Sequence, residues 1–146
     1  MQSKLSEHFT YEELTFSETA LRLKVENTPP PAAYENLIRL ANLLEKVRAA
    51  IGKPIMVTSG YRSKFVNDAL GSKESSQHRV GCAADIKVPG MTPDAVCKAI
   101  MAAGIEYDQL IREFDSWTHI SVPNTPSLTP RMQTLIIDKN GTRNYG

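Results

Sequence analysis

Leu37, Leu40, Ala41, Leu44, Val47 and Ile51 recur at the i, i+3, i+4, i+7 spacing of a single helix face, soon after Asn27-Thr28-Pro29-Pro30-Pro31. No other feature constrains the fold as strongly. A helix over Ala32–Ile51 with such a stripe persists only when other apolar surface covers it. Glu35, Arg39, Glu45, Lys46 and Arg48 lie largely off the stripe, and Gly52 suits the C-terminal cap. The prolines stiffen the entry into an extended segment. With 146 residues the chain has room for one core and not for two, so it reads as a single domain over 1–146.

The remaining elements follow from turn and cap signals. Thr10-Tyr11-Glu12-Glu13 reads as a capping box opening a short helix, and Ser17 caps a second over Glu18 to Leu23. Pro54–Ser59 reads as a strand, Gly60–Ser63 as a turn and Phe65–Leu70 as a short helix. Gly71–Gly81 reads as a polar loop, followed by a strand over Cys82–Val88 that Pro89-Gly90 stops. Thr92 or Pro93 starts a helix to about Ala103, with Gly104 as its cap. Gln109–Phe114 and Trp117–Val122 read as a hairpin turning at Asp115-Ser116. Gln133–Asp138 reads as a last strand, with Lys139-Asn140-Gly141 as a turn beyond it. Helices with a mostly antiparallel sheet in one small domain make the fold class α+β.

Composition narrows the function. Apolar residues make up 41% of the chain and charged residues 23%, which is a globular balance. Seventeen basic against sixteen acidic residues give a formal charge of +1, which argues against a nucleic-acid partner held by charge. No run approaches the ~20 apolar residues of a membrane span. The first residues carry no apolar core of a secretory signal, so synthesis in a cytoplasm is expected. Cys82 and Cys97 lack CxxC spacing and read as free thiols.

Two of the three histidines fall in chemically loaded contexts. His78 ends the polar loop, seven residues before Asp85. Asp85 sits in the apolar stretch Ala83-Ala84-Asp85-Ile86, where a carboxylate is costly without a partner. A metal ion, an arginine or a cluster of N–H groups would serve. His119 shares one strand face with Trp117 and Ser121. Two histidines and an aspartate form a plausible catalytic zinc set, because three protein ligands leave one position for water of lowered pKa. His8 reads as a surface or packing histidine and Cys82 as a buried structural thiol. Trp117 reads as a wall of the site or part of the core. Arg131, Lys139 and Arg143 read as solvated charge.

Three ordered strings carry a resemblance: Ser59-Gly60-Tyr61-Arg62-Ser63, then Ser76-x-His78-x-x-Gly81-x-Ala83-x-Asp85, then Trp117-x-His119. Together they resemble the M15 family of zinc peptidases, which comprises D-Ala-D-Ala carboxypeptidases and peptidoglycan endopeptidases, many of them phage endolysins. The resemblance covers about Phe9 to Val122 and leaves 123–146 as a C-terminal strand extension. It implies one zinc ion per chain on His78, Asp85 and His119, in a fold of the hedgehog/DD-peptidase kind. It also implies that Arg62 grips a substrate carboxylate or carbonyl with a rigid, permanently charged fork of donors. Ser76 matches a serine that hydrogen-bonds substrate near the metal. A structural ion pair for Arg62 and a loop-stabilising hydroxyl for Ser76 are the plainer alternatives. Gly81 lets the backbone turn between the first two ligands.

One position departs from the family. Many members carry a catalytic Glu or Asp three residues before the last histidine, and here Ser116 stands there. Glu113 is the first choice for the base and Asp115 the second. A three-residue turn over Phe114-Asp115-Ser116 puts Glu113 opposite Trp117, on the His119 face and diagonal to it. Diagonal neighbours lie roughly 7–8 Å apart by Cα, within reach of a glutamate. A two-residue turn would send Glu113 to the opposite face. The Glu113-to-His119 spacing also resembles that of the zinc domain of hedgehog signalling proteins.

The reading that follows is a monomeric zinc metallopeptidase hydrolysing peptidoglycan stem peptides, with no membrane partner. A phage or prophage lysis enzyme released through a holin, or a virion-associated hydrolase, is the expected setting. The rival from another class is a zinc-stabilised, catalytically inactive module that binds a peptide or a partner.

Overall fold

The computed structural model describes residues 3–145. Both halves of the Thr10 capping box form: Glu13 N donates to Thr10 Oγ1 and Thr10 N to Glu13 Oε1, opening α1 over Tyr11–Thr15. Ser17 caps α2, Glu18–Leu23. Pro31 opens α3, Pro31–Ile51, where a missing N–H costs nothing, and Gly52 closes it at φ 74°. Strand β1, Met56–Ser59, then leads into α4, Lys64–Ala69. Strand β2 is Ala83–Lys87, and Thr92 caps α5, Pro93–Ala102. Strands β3 (Gln109–Glu113), β4 (Trp117–Ser121), β5 (Gln133–Asp138) and β6 (Gly141–Asn144) complete the chain.

The six strands form one sheet in the order β1-β2-β4-β3-β5-β6. Only the β3–β5 pair is parallel, so the fold is α+β with a mostly antiparallel sheet. The α3 stripe does its predicted work. Leu37, Leu40, Ala41, Leu44 and Val47 are fully buried, with Ala33 and Leu43 joining them. They pack with Ala84, Ile86, Val96, Ile100, Leu110 and Ile120 in one core. Among the described residues no helix is long and apolar enough to cross a membrane.

Two elements differ from the sequence reading. The polar loop after Gly71 contains a 3₁₀ turn over Gln77–Val80, closed by Gly81 at φ 78°. The turn after β5 is the tip of a hairpin whose return strand, β6, is exposed throughout. An exposed strand of polar residues carries no apolar alternation, so periodicity could not reveal it.

Strand register divides the sheet into two faces with different tasks. Ala84 pairs with Ile120 and Ile120 with Leu110, and this face meets the helices. Asp85 pairs with His119, His119 with Ile111 and Ile111 with Leu135, so these four occupy the opposite face. That second face is where chemistry-bearing side chains collect.

Among the described glycines, Gly60 leaves the least room for a side chain. A Cβ there would lie 2.3 Å from Leu14 O, the carbonyl that accepts Tyr61 N–H at 2.8 Å. Gly60→Ala is therefore expected to destabilise the protein by about 1–3 kcal/mol, the usual cost of overpacking. Urea denaturation measures it, and an unchanged midpoint would contradict this close approach.

Candidate active site

Asp85 is 6% exposed in the middle of β2, and its carboxylate is the hub of the site. His78 reaches it from the 3₁₀ turn, with Nε2 3.4 Å from Asp85 Oδ1. His119 reaches the same oxygen across the β2–β4 ladder, with Nδ1 at 3.1 Å. Arg62 Nη2 lies 3.5 Å from the other oxygen. The imidazole rings meet nearly edge to face, 5.1 Å between centroids.

Backbone placement fixes the His78 ring. Gly60 O lies 2.7 Å from His78 Nδ1 and accepts a hydrogen bond from its N–H, which leaves the Nε2 lone pair free for a metal ion. Gly81, in the left-handed region, reverses the chain between His78 and β2. A Cβ on Gly81 would also strike Ala33 O at 2.5 Å, so α3 packs directly under this turn.

Burial pulls the His78 imidazole below its ordinary pKa and favours the neutral form that can act as a ligand. Burial pushes the Asp85 carboxyl up, but its close contacts with the His78 and His119 imidazoles outweigh that and hold it well below the usual carboxylate range.

The group fits a tetrahedral metal ion. The donor atoms of His78, Asp85 and His119 all lie within 4.8 Å of one another and all three residues are buried. Bonds of about 2.0–2.1 Å at tetrahedral angles set donors about 3.3–3.4 Å apart. The observed 3.1 and 3.4 Å separations match that requirement.

The turn register favours Glu113. Glu113 pairs with Trp117 across a three-residue turn, in which Phe114 and Asp115 adopt φ 53° and 51°. The Glu113 side chain thereby faces His119, with Oε1 3.9 Å from Nδ1. Burial raises its carboxyl pKa, the Asp85 charge adds to the rise, and His119 and Arg62 oppose it. Asp115 is turned away: its oxygens bind Arg112 Nε at 2.6 Å and Nη2 at 3.3 Å.

Arg62 is more engaged than the sequence implies. Nε donates to Ser59 Oγ, Nη1 to Ser72 Oγ and Nη2 to Asp85, which leaves two of its five N–H donors. Ser76 Oγ accepts the His78 backbone N–H at 3.3 Å, so it stabilises the turn, and it also lines the neighbouring cavity. Trp117 lines a second cavity, and its buried Nε1 has no hydrogen-bond partner among the described residues. His8 is tied to Glu45 at 2.7 Å and is not part of this group. Cys82 and Cys97 are buried free thiols, both pushed up to about 11 by burial.

Two cavities open on the site. One of about 850 Å³ is lined by His119 and Glu113, and one of about 510 Å³ by Asp85 and Arg62. The sequence reading missed two residues of the larger one. Gln77 Nε2 lies 3.1 Å from Asp108 Oδ2 and 2.8 Å from Asn124 Oδ1. Asp108, buried, takes three hydrogen bonds from Arg131. Arg131 is thus a structural ion pair and not the solvated charge the sequence suggested, a pairing that spans 23 residues and leaves no local signal.

A buried His-Asp-His group with a carboxylate beside it, opening on clefts, is a site that can hold a metal ion. A family model described as Peptidase M15 matches residues 7–121, and the chain belongs to that family of peptidases. No curated protein matches the chain.

The Asp108 network predicts acid sensitivity. Burial pushes the Asp108 carboxyl up, but the Arg131 hydrogen bonds and charge, with Gln77, bring it below its ordinary value. A depressed carboxyl contributes stability that is complete above the unfolded-chain value of about 3.9 and is lost as pH falls through the folded value. Asp108→Asn should therefore lower stability at neutral pH and flatten the loss below pH ~4. Thermal melts across that range test it, and identical acid limbs for the two proteins would contradict it.

Proposed function

We propose that the protein is a zinc-dependent peptidase acting on the stem peptides or cross-links of bacterial peptidoglycan. The observation that carries this reading is the convergence of His78 Nε2, Asp85 Oδ1 and His119 Nδ1 in a chain of a peptidase family, with Glu113 beside them. Peptidoglycan as substrate, and phage or prophage lysis as the setting, follow the resemblance carried by the SxHxxGxAxD and WxH strings.

In this proposal His78, Asp85 and His119 would hold one zinc ion. Zinc bound there supplies Lewis-acid polarisation of the scissile carbonyl and lowers the pKa of water. Glu113 takes the proton of the attacking water at its carboxylate and later gives it to the leaving amine. Arg62 holds Asp85 in place, and its two remaining donors are available to a substrate oxygen at the smaller cavity. Ser76 keeps the His78 turn closed and presents its hydroxyl to the larger cavity.

The test is digestion of purified peptidoglycan, followed by mass spectrometry of the released muropeptides. The zinc-loaded protein should release new peptide ends, a chelator should stop it, and added zinc should restore it. Glu113→Gln should keep zinc and fold but lose roughly 10²–10⁴ in rate. Asp115→Asn should cost far less. Full activity in Glu113→Gln would remove Glu113 from the mechanism. A zinc-loaded wild-type protein that cuts nothing would favour the binding-module reading.

A further inference from the structure

Glu113 stands at the end of β3, where the core no longer dictates the path of the chain. Leu110 and Ile120 are fully buried and fix the body of the β3–β4 ladder. At the tip that grip ends: Phe114 is 53% exposed, and its ring leans on Trp117 with 6.3 Å between centroids. The facing of Glu113 nevertheless depends on this tip. The three-residue turn sets it beside His119, and a two-residue turn would carry it to the helix face. The observed turn is strained. Phe114 and Asp115 are consecutive left-handed residues, at φ 53° and 51°, and the turn contains no glycine. Aspartate tolerates that region, but for an aromatic side chain it is an outlier. Such a conformation persists where neighbouring contacts over-determine it.

Those contacts are present. Phe114 N–H donates to Ile137 O at 2.8 Å, and Ser116 N–H to Glu113 O at 2.9 Å. Arg112 supplies the side-chain link from strand to tip. Its Nε and Nη2 donate to the two oxygens of Asp115 at 2.6 and 3.3 Å, a two-point contact that fixes direction as well as distance. Arg112 projects to the helix face, opposite to Glu113. It pairs with Thr118, whose hydroxyl donates to Pro93 O, and its Nη1 donates to Asp94 Oδ1 in the first turn of α5 at 3.4 Å. Asp94 also takes Lys98 Nζ at 3.0 Å and the hydroxyl of Tyr145. Val96, Cys97 and Ile100 seat α5 in the core, so the fork has a firm base. The tip is thus held from behind the sheet by residues that line neither cavity of the site. The Asp115 side chain is 61% exposed, and an exposed ion pair adds little to global stability. Its effect is confined to the turn.

We propose that Arg112 and Asp115 are positioning residues, whose ion pair locks the left-handed turn in the register that sets Glu113 beside His119. The inference rests on the peptidase reading for its effect on rate. It goes beyond that reading by giving Asp115, which points away from the site, a role exerted through the backbone of the turn.

Three variants of the full chain test the lock. Asp115→Ala and Arg112→Gln remove the fork. Asp115→Asn keeps an acceptor oxygen and a residue type at home in left-handed backbone. Amide hydrogen exchange is followed by NMR at Phe114 and Ser116. Val122, whose N–H donates to Cys82 O at 2.9 Å, serves as the reference in the body of the protein. Asp115→Ala and Arg112→Gln should exchange several-fold faster at Phe114 and Ser116 and keep the wild-type rate at Val122. On soluble stem peptides they should lose about tenfold in kcat with KM unchanged, because a misplaced base costs rate and not binding. Asp115→Asn should lie close to wild type in both readouts. Unchanged exchange at the tip in both fork variants overturns the lock. Equal acceleration at Val122 also overturns it, since the pair would then be an ordinary stability contact. Faster exchange at the tip with kcat unchanged, in a protein whose wild type cleaves, overturns the positioning role. A wild-type protein that cleaves nothing removes the peptidase reading alone. Exchange then decides the lock by itself: acceleration confined to the tip supports it, and unaltered exchange overturns it.

Discussion

A carboxylate buried in the middle of a sheet needs compensation, and the arrangement of this protein around Asp85 is an answer to that need. Effective penalties of several kcal/mol attend each buried ion left without partners. Asp85 receives Arg62 on one oxygen and His78 and His119 on the other. Each partner is itself held in turn. Gly60 O fixes the His78 ring, the β2–β4 register fixes His119, and Ser59 and Ser72 fix the Arg62 fork. Gly60 and Gly81 in turn lie against Leu14 O and Ala33 O, which couples α1 and α3 to the site. The scaffold helix and the chemistry are thus one packing problem.

The two-faced sheet explains how so small a domain holds both a core and a cleft. Period-two alternation sends Ala84, Ile86, Leu110 and Ile120 toward the helices, and Asp85, Ile111, Glu113 and His119 the other way. Helices cover the centre of the first face, around Ala84, Ile86, Leu110 and Ile120. The second remains open, and Asp85, His78, His119 and Arg62 meet on it. β5 extends this second face by parallel pairing with β3, which places Leu135 and Ile137 beside Ile111 and Glu113.

Sequence reading reached the parts of this arrangement that are encoded locally. The caps at Thr10, Ser17 and Thr92, the α3 stripe and the Gly52 stop are each set by residues within a few positions of one another. The family-like strings reached the His78, Asp85 and His119 grouping, which composition alone could not bring together. The β3–β4 turn stayed open between two registers, because neither Phe114 nor Asp115 advertises a left-handed backbone, and both adopt it. The Asp108–Arg131 pair, the Gln77 tie and strand β6 were not legible. The first two are contacts between distant segments, and the third is a polar strand held only by its neighbour. Arg62 shows the same limit: its residue type announced a gripping role, while its actual partners depend on where Ser59, Ser72 and Asp85 meet.

The donor set that binds zinc decides whether His78, Asp85 and His119 form a metal centre. X-ray absorption spectroscopy of the protein loaded with one equivalent of zinc reads that set directly. Four light-atom neighbours at about 2.0–2.1 Å, with the multiple scattering of two imidazoles, are the predicted result. A sulfur neighbour near ~2.3 Å would move the metal to Cys82 or Cys97. A six-oxygen shell without imidazole scattering would mean that His78, Asp85 and His119 hold no zinc, and either spectrum would contradict the structure's central assignment.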